Sequence, residues 1–186
     1  NIEDAVFEDN IVLSDYDLII SAVGNHNVNR WINEQIMQQT EINTPVIYLW
    51  NEVLGLGNHV AIISTNYPGC YECFFDRDED GNIYDKTSFC EKGQSFSKKL
   101  MGCGSSFLPY SSTNSLTTVV MGMEVIRDYF EGNIAENFLI SNKGNDFYFT
   151  KAGYNTSNRY KAQKNQKITR PGDKFKKDNC KVCSGK

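Results

Sequence analysis

The pattern of apolar and polar residues predicts an α/β arrangement for the first third of the chain. Residues 17–23 form a short apolar run of the kind found in a buried parallel strand. A helix is predicted from about Val28 to Gln39, because apolar residues recur there at helical spacing and the segment Asn25-His26-Asn27 offers N-cap side chains before it. Apolar runs at 46–50 and 59–64 predict two more strands. A strand, a helix and a strand within about thirty residues predict a right-handed crossover unit. Such units bind ligands at the carboxyl ends of their strands.

The pattern in the second half of the chain predicts a buried helix followed by antiparallel strands. Apolar residues surround the segment 111–130 almost completely, so we expect it to be a central helix with no exposed face. Alternating residues predict strands at 138–140 and 147–149, with a turn between them. Residues 161–178 are polar and predict a tether that leads to the end of the chain.

A polar segment rich in Gly, Ser and Lys separates the two halves. It runs from Asp85 to Gly104 and contains Cys90 and Cys103. Such a composition predicts a long loop, and long loops inside compact domains are usually functional or disordered.

Composition narrows the class of protein. The chain has 186 residues, of which 40% are hydrophobic and 23% are charged, as in a single globular domain. Its formal net charge of −4 disfavours a general nucleic-acid-binding protein, which would present a basic face. No apolar run approaches the length of a membrane span, and no signal-peptide pattern is present. We therefore expect a cytoplasmic protein with reduced cysteines. Because the chain opens at Asn1 without Met, we also expect it to be part of a longer protein.

Two Cys-x-x-Cys pairs carry the most specific chemical signal. Cys70 and Cys73 follow a Pro-Gly turn, and Cys180 and Cys183 lie at the carboxyl end of the chain. Their spacing is that of a four-thiolate, tetrahedral zinc site. The alternative is two disulfides or unrelated thiols, which we consider less favoured because nothing indicates export. A zinc ion with four thiolate ligands has no open coordination position, so we expect a structural role and no part in catalysis.

The order of these features resembles the carboxyl-terminal half of the ThiF/MoeB/HesA family, whose members are adenylyltransferases related to ubiquitin-activating enzymes. The resemblance spans nearly all of the chain. It is carried by the strand and following residues 17–25, the helix with Arg30 and Asn33-Glu34, the segment 45–48 and its Gly-rich turn, residues 68–73, the segment from Cys103 to Pro109, the long helix and the last Cys-x-x-Cys pair. The segment 102–111 is more similar to versions found in bacterial ubiquitin-like conjugation operons, including anti-phage ones.

The resemblance implies a fold, an activity and partners. The fold would be the carboxyl-terminal part of a Rossmann-like, ThiF-type α/β fold with a mixed sheet, a long crossover loop and a four-cysteine zinc site. Residues 1–66 would end the nucleotide-binding sheet, 67–110 would hold the zinc knuckle and the catalytic-cysteine loop, and 111–186 would hold the helix, strands and zinc-binding tail. The complete enzyme would be a homodimer that uses ATP and magnesium to adenylate the C-terminal glycine of a ubiquitin-like or sulfur-carrier protein.

The resemblance also assigns candidate nucleotide contacts. In the family, a carboxylate after the first strand holds the magnesium ion that bridges the ATP phosphates. That position aligns with Gly24 or Asn25, and neither is charged, although Asn25 can supply a neutral oxygen. Arg30 is a candidate phosphate contact, with an ordinary surface role as the alternative. The family's glycine-rich nucleotide loop is missing, so we do not expect this chain alone to adenylate a carrier.

The same resemblance places an acyl-accepting cysteine before Pro109. Cys103 is favoured, because it precedes a predicted helix whose N-terminus would stabilise a thiolate. Cys90 is the second choice, because the neighbouring Glu91 would raise the pKa of its thiol. Both can also be ordinary loop or core cysteines. Two other functions stay open: a zinc-stabilised docking module with lapsed catalysis, and a zinc-stabilised α/β domain with an unrelated small-molecule site.

Overall fold

A five-stranded mixed sheet forms the centre of the protein. The computed structural model describes residues 12–38, 43–96, 98–99, 106–107 and 111–184. Within these residues the strands are β1 (Ile19–Ser21), β2 (Val46–Asn51), β3 (Gly57–Ile63), β4 (Phe75–Arg77), β5 (Ile83–Asp85), β6 (Lys98–Lys99), β7 (Ser106–Phe107), β8 (Phe138–Lys143) and β9 (Lys167–Pro171). The α-helices of the same residues are α1 (His26–Gln38), α2 (Ser112–Phe130), α3 (Phe147–Lys151), α4 (Asn158–Ala162) and α5 (Gly172–Phe175).

The strand order of the central sheet is β1-β2-β3-β8-β9. β1 and β2 are parallel and are connected through α1, as the sequence predicts. The other three pairings, β2-β3, β3-β8 and β8-β9, are antiparallel. β3 follows β2 after a short turn, whereas α3 and α4 lie in the connection from β8 to β9. Two ribbons, β4-β5 and β6-β7, lie in the long connection between β3 and α2.

The two faces of the sheet are covered by different helices. On one face, α1 packs through Ile32 and Ile36 against alternate residues of β2, including Tyr48. On the other face, α2 packs through Met121 and Val125 against the opposite set of strand residues. β2 and β3 are therefore apolar along most of their length, as expected for strands that are buried on both faces. The four cysteines of the two Cys-x-x-Cys pairs belong to the core on the α1 face.

The prediction that residues 111–130 form a helix buried on every side is wrong. α2 buries Thr118, Met121, Gly122 and Val125, and Gly122 permits close contact because a Cβ atom there would clash with Leu49. Its opposite side exposes apolar side chains, which are Leu116, Val119, Val120, Met123 and Phe130. The helix is apolar because both its core-facing side and its opposite side carry apolar residues, and the described residues cover only the core-facing side.

Two predictions for the last third of the chain are also wrong. Residues 147–149 begin helix α3 instead of a strand: Asn145 accepts a hydrogen bond from the Phe147 amide, and only Phe149 of the three is buried. Residues 161–178 are more than a tether, because they contain β9, which pairs with β8 at the edge of the sheet. An edge strand is held by backbone hydrogen bonds and needs few apolar side chains. The polar sequence of β9 therefore did not predict a strand.

Candidate functional site

The two Cys-x-x-Cys pairs meet in one buried cluster. The Sγ atoms of Cys70, Cys73, Cys180 and Cys183 all lie within 4.8 Å of one another, and none of the four is in a disulfide. Neighbouring Sγ atoms are 3.8, 3.7 and 3.5 Å apart. Thiolates around a tetrahedral zinc ion, with Zn–S bonds of about 2.3 Å, would be separated by about 3.8 Å. The prediction that these four residues come together is confirmed, and the cluster could hold a metal such as zinc.

The charge that the four cysteines would carry as thiolates also favours a bound cation. Contacts with Cys180, Cys183 and Cys73 raise the pKa of Cys70 well above its ordinary value. Four buried thiols at this distance cannot all become thiolates unless a positive charge offsets their repulsion. A thiophilic metal ion supplies that charge, so the donor set fits zinc.

The first metal-binding pair is shaped by its neighbours. Gly69 has a positive φ of 82°, and a side chain there would clash with Phe175 and with the Gly172 carbonyl group. Cys70 to Cys73, here called the knuckle, is closed by a 3.0 Å hydrogen bond from the Cys73 amide to the Cys70 carbonyl group. Asn137, which sequence reasoning missed, holds the approach to the knuckle by donating to the Gly69 carbonyl group over 2.7 Å.

The second metal-binding pair is brought to the knuckle by α5. Phe175 of this helix packs against Phe74, with ring centroids 4.8 Å apart. The Cys180 amide then donates to the Lys177 carbonyl group, and the Lys177 ammonium donates to the Phe75 carbonyl group over 2.6 Å. The chain between β9 and the last cysteines is therefore fixed to the knuckle by packing and hydrogen bonds as well as by the cluster.

The residues between the knuckle cysteines contact α1. Arg30 donates from Nε and Nη2 to the two carboxylate oxygens of Glu72, over 2.6 and 2.9 Å. Its guanidinium group also lies over the Phe75 ring, 5.3 Å from the centroid. The hydrogen bond with Glu72 raises the pKa of Arg30. Two nitrogen atoms of Arg30 are thus engaged inside the protein, and its contact with a phosphate stays a prediction.

Asn25 lies where the sequence predicts it, between the carboxyl end of β1 and the start of α1. Its side chain is exposed, and Oδ1 accepts hydrogen bonds from the amides of Asn27 and Val28, over 2.9 and 3.4 Å. Asn25 is therefore the N-cap of α1. Its role as an oxygen ligand of magnesium stays a prediction.

His26 is the first residue of α1, and the sequence predicts nothing for it beyond a place at the start of the helix. Its Nδ1 atom lies 2.8 Å from the Tyr71 hydroxyl oxygen, and its Nε2 atom lies 3.9 Å from Oδ2 of Asp85. Burial lowers the pKa of His26, although the Asp85 carboxylate acts in the opposite direction. The same Tyr71 hydroxyl contacts Asn29, which in turn contacts Ser21 at the end of β1. These partners are far apart in sequence, so no local pattern could reveal them.

Cys90 contacts a buried carboxylate. Its thiol donates to Oε2 of Glu52 over 3.1 Å, and burial followed by the charge of Glu52 raises the pKa of Cys90 well above its ordinary value. Glu52 also contacts His59 Nε2 at 2.8 Å and accepts from the Phe89 amide over 2.6 Å. A reaction at Cys90 would require its thiol to leave this contact. Cys103 lies outside the described residues, so the choice of acyl acceptor stays a prediction.

A cavity of about 590 Å³ opens beside the N-terminus of α2. The described residues that line it carry no formal charge, and they include the carboxamides of Asn58, Asn114, Asn142 and Asn145. Carboxamides offer both donors and acceptors, so this cavity suits an uncharged ligand with many polar groups, such as a peptide main chain.

Comparisons with known proteins do not assign the chain to a family. No model of a known protein family matches the sequence. No curated protein matches it significantly. None of the helices in the described residues combines the length and apolar character needed to cross a membrane. The functional assignment therefore depends on the sequence pattern, the sheet and the site.

Proposed function

We propose that this chain is the carboxyl-terminal part of a ThiF-type adenylyltransferase, which activates the C-terminus of a ubiquitin-like or sulfur-carrier protein with ATP and passes it to a cysteine. The observation that carries this proposal is the edge of the sheet at β1. Among the described residues β1 pairs only with β2, in parallel, and the side chains of Ile20 in β1 and of Val23 just after it are 50% and 56% exposed. Parallel strands are normally covered on both sides. A nucleotide-binding half that adds the next strand would cover this edge.

The metal would be zinc, held by Cys70, Cys73, Cys180 and Cys183. Zinc bound by four thiolates would join the knuckle to the tail without an open position for substrate. The knuckle in turn holds α1, because Glu72 binds Arg30 and Tyr71 contacts His26. The metal site would therefore support the edge of the sheet and take no part in the reaction.

The nucleotide would lie beside the N-terminus of α1. Asn25 caps this helix, whose dipole favours the negative charge of phosphates. Asn25 is also the candidate oxygen donor for magnesium, and Arg30 is the candidate phosphate contact. The neutral cavity beside α2 would bind the carrier's extended C-terminal tail through the carboxamides of Asn114, Asn142 and Asn145. The Asn58 carboxamide is buried and already hydrogen-bonded inside the protein.

The acyl acceptor would be Cys103, with Cys90 as the second choice. Its thiolate would attack the carbonyl carbon of the acyl adenylate, a thioester would form, and the C–O bond to AMP would break. Cys90 is disfavoured further by its buried contact with Glu52, which keeps the thiol protonated.

The exposed face of α2 supports a homodimer. Leu116, Val119, Val120, Met123 and Phe130 lie on the side of the helix away from the sheet and form one stripe along it. Exposed apolar stripes of this kind mark protein interfaces. A second copy of the complete enzyme would cover this stripe.

ATP–pyrophosphate exchange tests the proposed function. The chain would be assayed alone, and again as part of a protein that supplies a nucleotide-binding half, each time with and without the carrier. We expect exchange only when the nucleotide-binding half and the carrier are both present. Robust exchange by these residues alone would contradict the proposal, and so would the absence of exchange in the complete mixture.

A docking module is the second candidate function. The observation that favours it is that Asn25 and Arg30, the two candidate nucleotide contacts, are both engaged within the protein. A docking module would bind its partner equally well with and without ATP and would leave the ATP unchanged.

A further inference from the structure

A relay of hydrogen bonds connects the end of β1 to the first residue of α1 through the knuckle. Ser21 Oγ lies 2.6 Å from Asn29 Oδ1, and Asn29 Nδ2 lies 3.1 Å from the Tyr71 hydroxyl oxygen. That oxygen lies 2.8 Å from His26 Nδ1. Ser21, Asn29 and Tyr71 are buried, whereas the side chain of His26 is 38% exposed. The relay therefore starts in the core and ends at the surface.

The relay has three possible proton arrangements, and the contacts favour one of them. In the first, the Ser21 hydroxyl donates to Asn29, Asn29 donates to Tyr71, and the Tyr71 hydroxyl donates to Nδ1 of His26. In the second, the Tyr71 oxygen would accept from both Asn29 and His26 Nδ1, and the buried Tyr71 hydroxyl would have no acceptor among the described residues. In the reverse arrangement, the Ser21 hydroxyl would lose its only contact acceptor among the described residues. The reverse would also turn the Nε2 lone pair towards the Asp85 carboxylate, 3.9 Å away, whereas the first arrangement places an N–H group there.

We propose that Tyr71 is a positioning residue, which fixes His26 as a neutral imidazole with its proton on Nε2 and so gives the N-terminus of α1 a side-chain hydrogen-bond donor. The distance from Nε2 to Asp85 is too long for a direct hydrogen bond, so the N–H group is left for an oxygen atom of a ligand or water. For that ligand, the inference rests on the proposed function, which puts the nucleotide beside the N-terminus of α1, where His26 lies.

The knuckle and its neighbours α1 and β2 position Tyr71. Tyr71 stands between Cys70 and Cys73, and its amide donates to Oδ1 of Asn33 over 3.0 Å. Its ring packs on Tyr48, with centroids 4.3 Å apart. The donor at His26 is thus held by a residue that the metal ligands flank on both sides.

Nitrogen-15 NMR of the imidazoles tests this inference directly. The sequence has two histidines, so the spectrum of the isolated chain holds two sets of signals, which His26→Gln assigns. We expect His26 to show one neutral tautomer, protonated on Nε2, with Nδ1 shifted by its acceptor role. His59 is the internal reference, because its ring nitrogens contact Ser141 and Glu52 and neither contacts Tyr71.

Tyr71→Phe removes the hydroxyl alone. His26 should then lose the acceptor shift at Nδ1 and show a mixture of both tautomers, while the His59 signals stay unchanged. Tyr48→Phe is the matched control, since Tyr48 is equally buried and its hydroxyl has no hydrogen-bond partner in the described part of the chain. This control should leave both histidines unchanged.

Two results would overturn the inference. One is a wild-type His26 that is protonated on Nδ1 at neutral pH, and the other is a Tyr71→Phe variant with an unchanged His26 spectrum. If Tyr71→Phe does not fold, the wild-type spectrum decides alone, because a neutral His26 without an acceptor shift at Nδ1 would show that the Tyr71 hydroxyl does not donate to it. No nucleotide or carrier is present, so failed pyrophosphate exchange with the expected spectrum would count against the proposed function alone.

Discussion

Arg30 of α1 and Glu72 of the knuckle form a two-point ion pair, with N–O distances of 2.6 and 2.9 Å. Both side chains are mostly shielded from solvent, with 25% and 18% exposed. We expect Arg30→Ala to lower the free energy of unfolding by about 1–2 kcal/mol, because paired charge-assisted bonds are stronger than surface pairs. For a chain of this size the melting temperature should fall by about 2–4 °C per kcal/mol.

Chemical denaturation of Arg30→Ala measures this effect, and Arg127→Ala is the control. Arg127 pairs with Asp128 on the exposed side of α2, so we expect no measurable change in that variant. Equal stability of Arg30→Ala and the wild type would show that the pair does not hold α1 to the knuckle.

The metal content of the purified chain is the second prediction. We expect one zinc ion per chain by elemental analysis, without added metal, because the four sulfur atoms already have tetrahedral spacing. Cys180→Ser should lose the metal and lower the unfolding free energy by about 3 kcal/mol or more, since metal binding is linked to folding. Cys90→Ser should keep its zinc. Less than about half an equivalent in the folded wild-type protein would count against the site.

The third prediction concerns the acyl acceptor. In a mixture of the complete enzyme, ATP and carrier, Cys103→Ala should abolish a reductant-sensitive adduct on a gel and leave carrier adenylation intact. Cys90→Ala should retain the adduct, because the Cys90 thiol is buried against Glu52 and its pKa is raised. The opposite behaviour of the two variants would make Cys90 the acceptor.

The stability of the protein should depend on Glu52 in a pH-dependent way. Burial alone would raise the pKa of Glu52, but its hydrogen bonds to His59, Phe89 and Cys90 lower it below its ordinary value of 4.5. A carboxylate with a lowered pKa stabilises the folded state above its unfolded pKa, and this contribution is lost as the pH falls through the folded pKa. Glu52→Gln should therefore cost about 1–3 kcal/mol at pH 7.

Denaturation of the wild type and of Glu52→Gln at several pH values shows whether the contribution of Glu52 to stability falls or rises as the pH is lowered. The difference between the two proteins should be constant above the ordinary pKa of 4.5 and should shrink below it. Glu91→Gln is the control, because Glu91 is exposed beside Cys90. A difference that grows as the pH falls would contradict the account.

The exposed stripe of α2 gives the fifth prediction. In the complete enzyme, Met123→Glu should raise the dissociation constant of the dimer at least about tenfold, because it would place a charge in an apolar contact. Analytical ultracentrifugation measures this constant, and Glu124→Gln on the flank of the stripe is the matched control. A complete enzyme that is monomeric, or a Met123→Glu variant that dimerises normally, would exclude this face as the interface.

Sequence patterns predicted those parts of the fold that depend on local periodicity or fixed spacing. β1, α1 and β2 follow from continuous and periodic apolar residues, and the metal ligands follow from two Cys-x-x-Cys pairs. α2 was predicted as a helix, but composition could not distinguish its core-facing side from its exposed apolar side. β9 was not predicted, because β8 stabilises it through backbone hydrogen bonds, and these impose no pattern on its side chains.

The polar contacts of the site could not be predicted, because their partners are distant in sequence. Asn137 contacts Gly69, Glu52 contacts Cys90, and Tyr71 contacts His26, with no repeat or motif that links them. Asn137, Glu52 and Tyr71 are ordinary polar or aromatic residues when their neighbours in sequence are considered alone. Only the sheet, the knuckle and the long connection together bring them into contact.

We propose above all that this chain is part of an enzyme that adenylates a carrier protein. Intact-mass spectrometry of the carrier tests this proposal most directly. The complete enzyme, ATP and carrier are mixed, quenched in acid and compared with a carrier that lacks its C-terminal glycine. We predict that the intact carrier gains the mass of one AMP group and that the shortened carrier gains none. A carrier whose mass never changes while it binds the protein stably would contradict the account and favour the docking module.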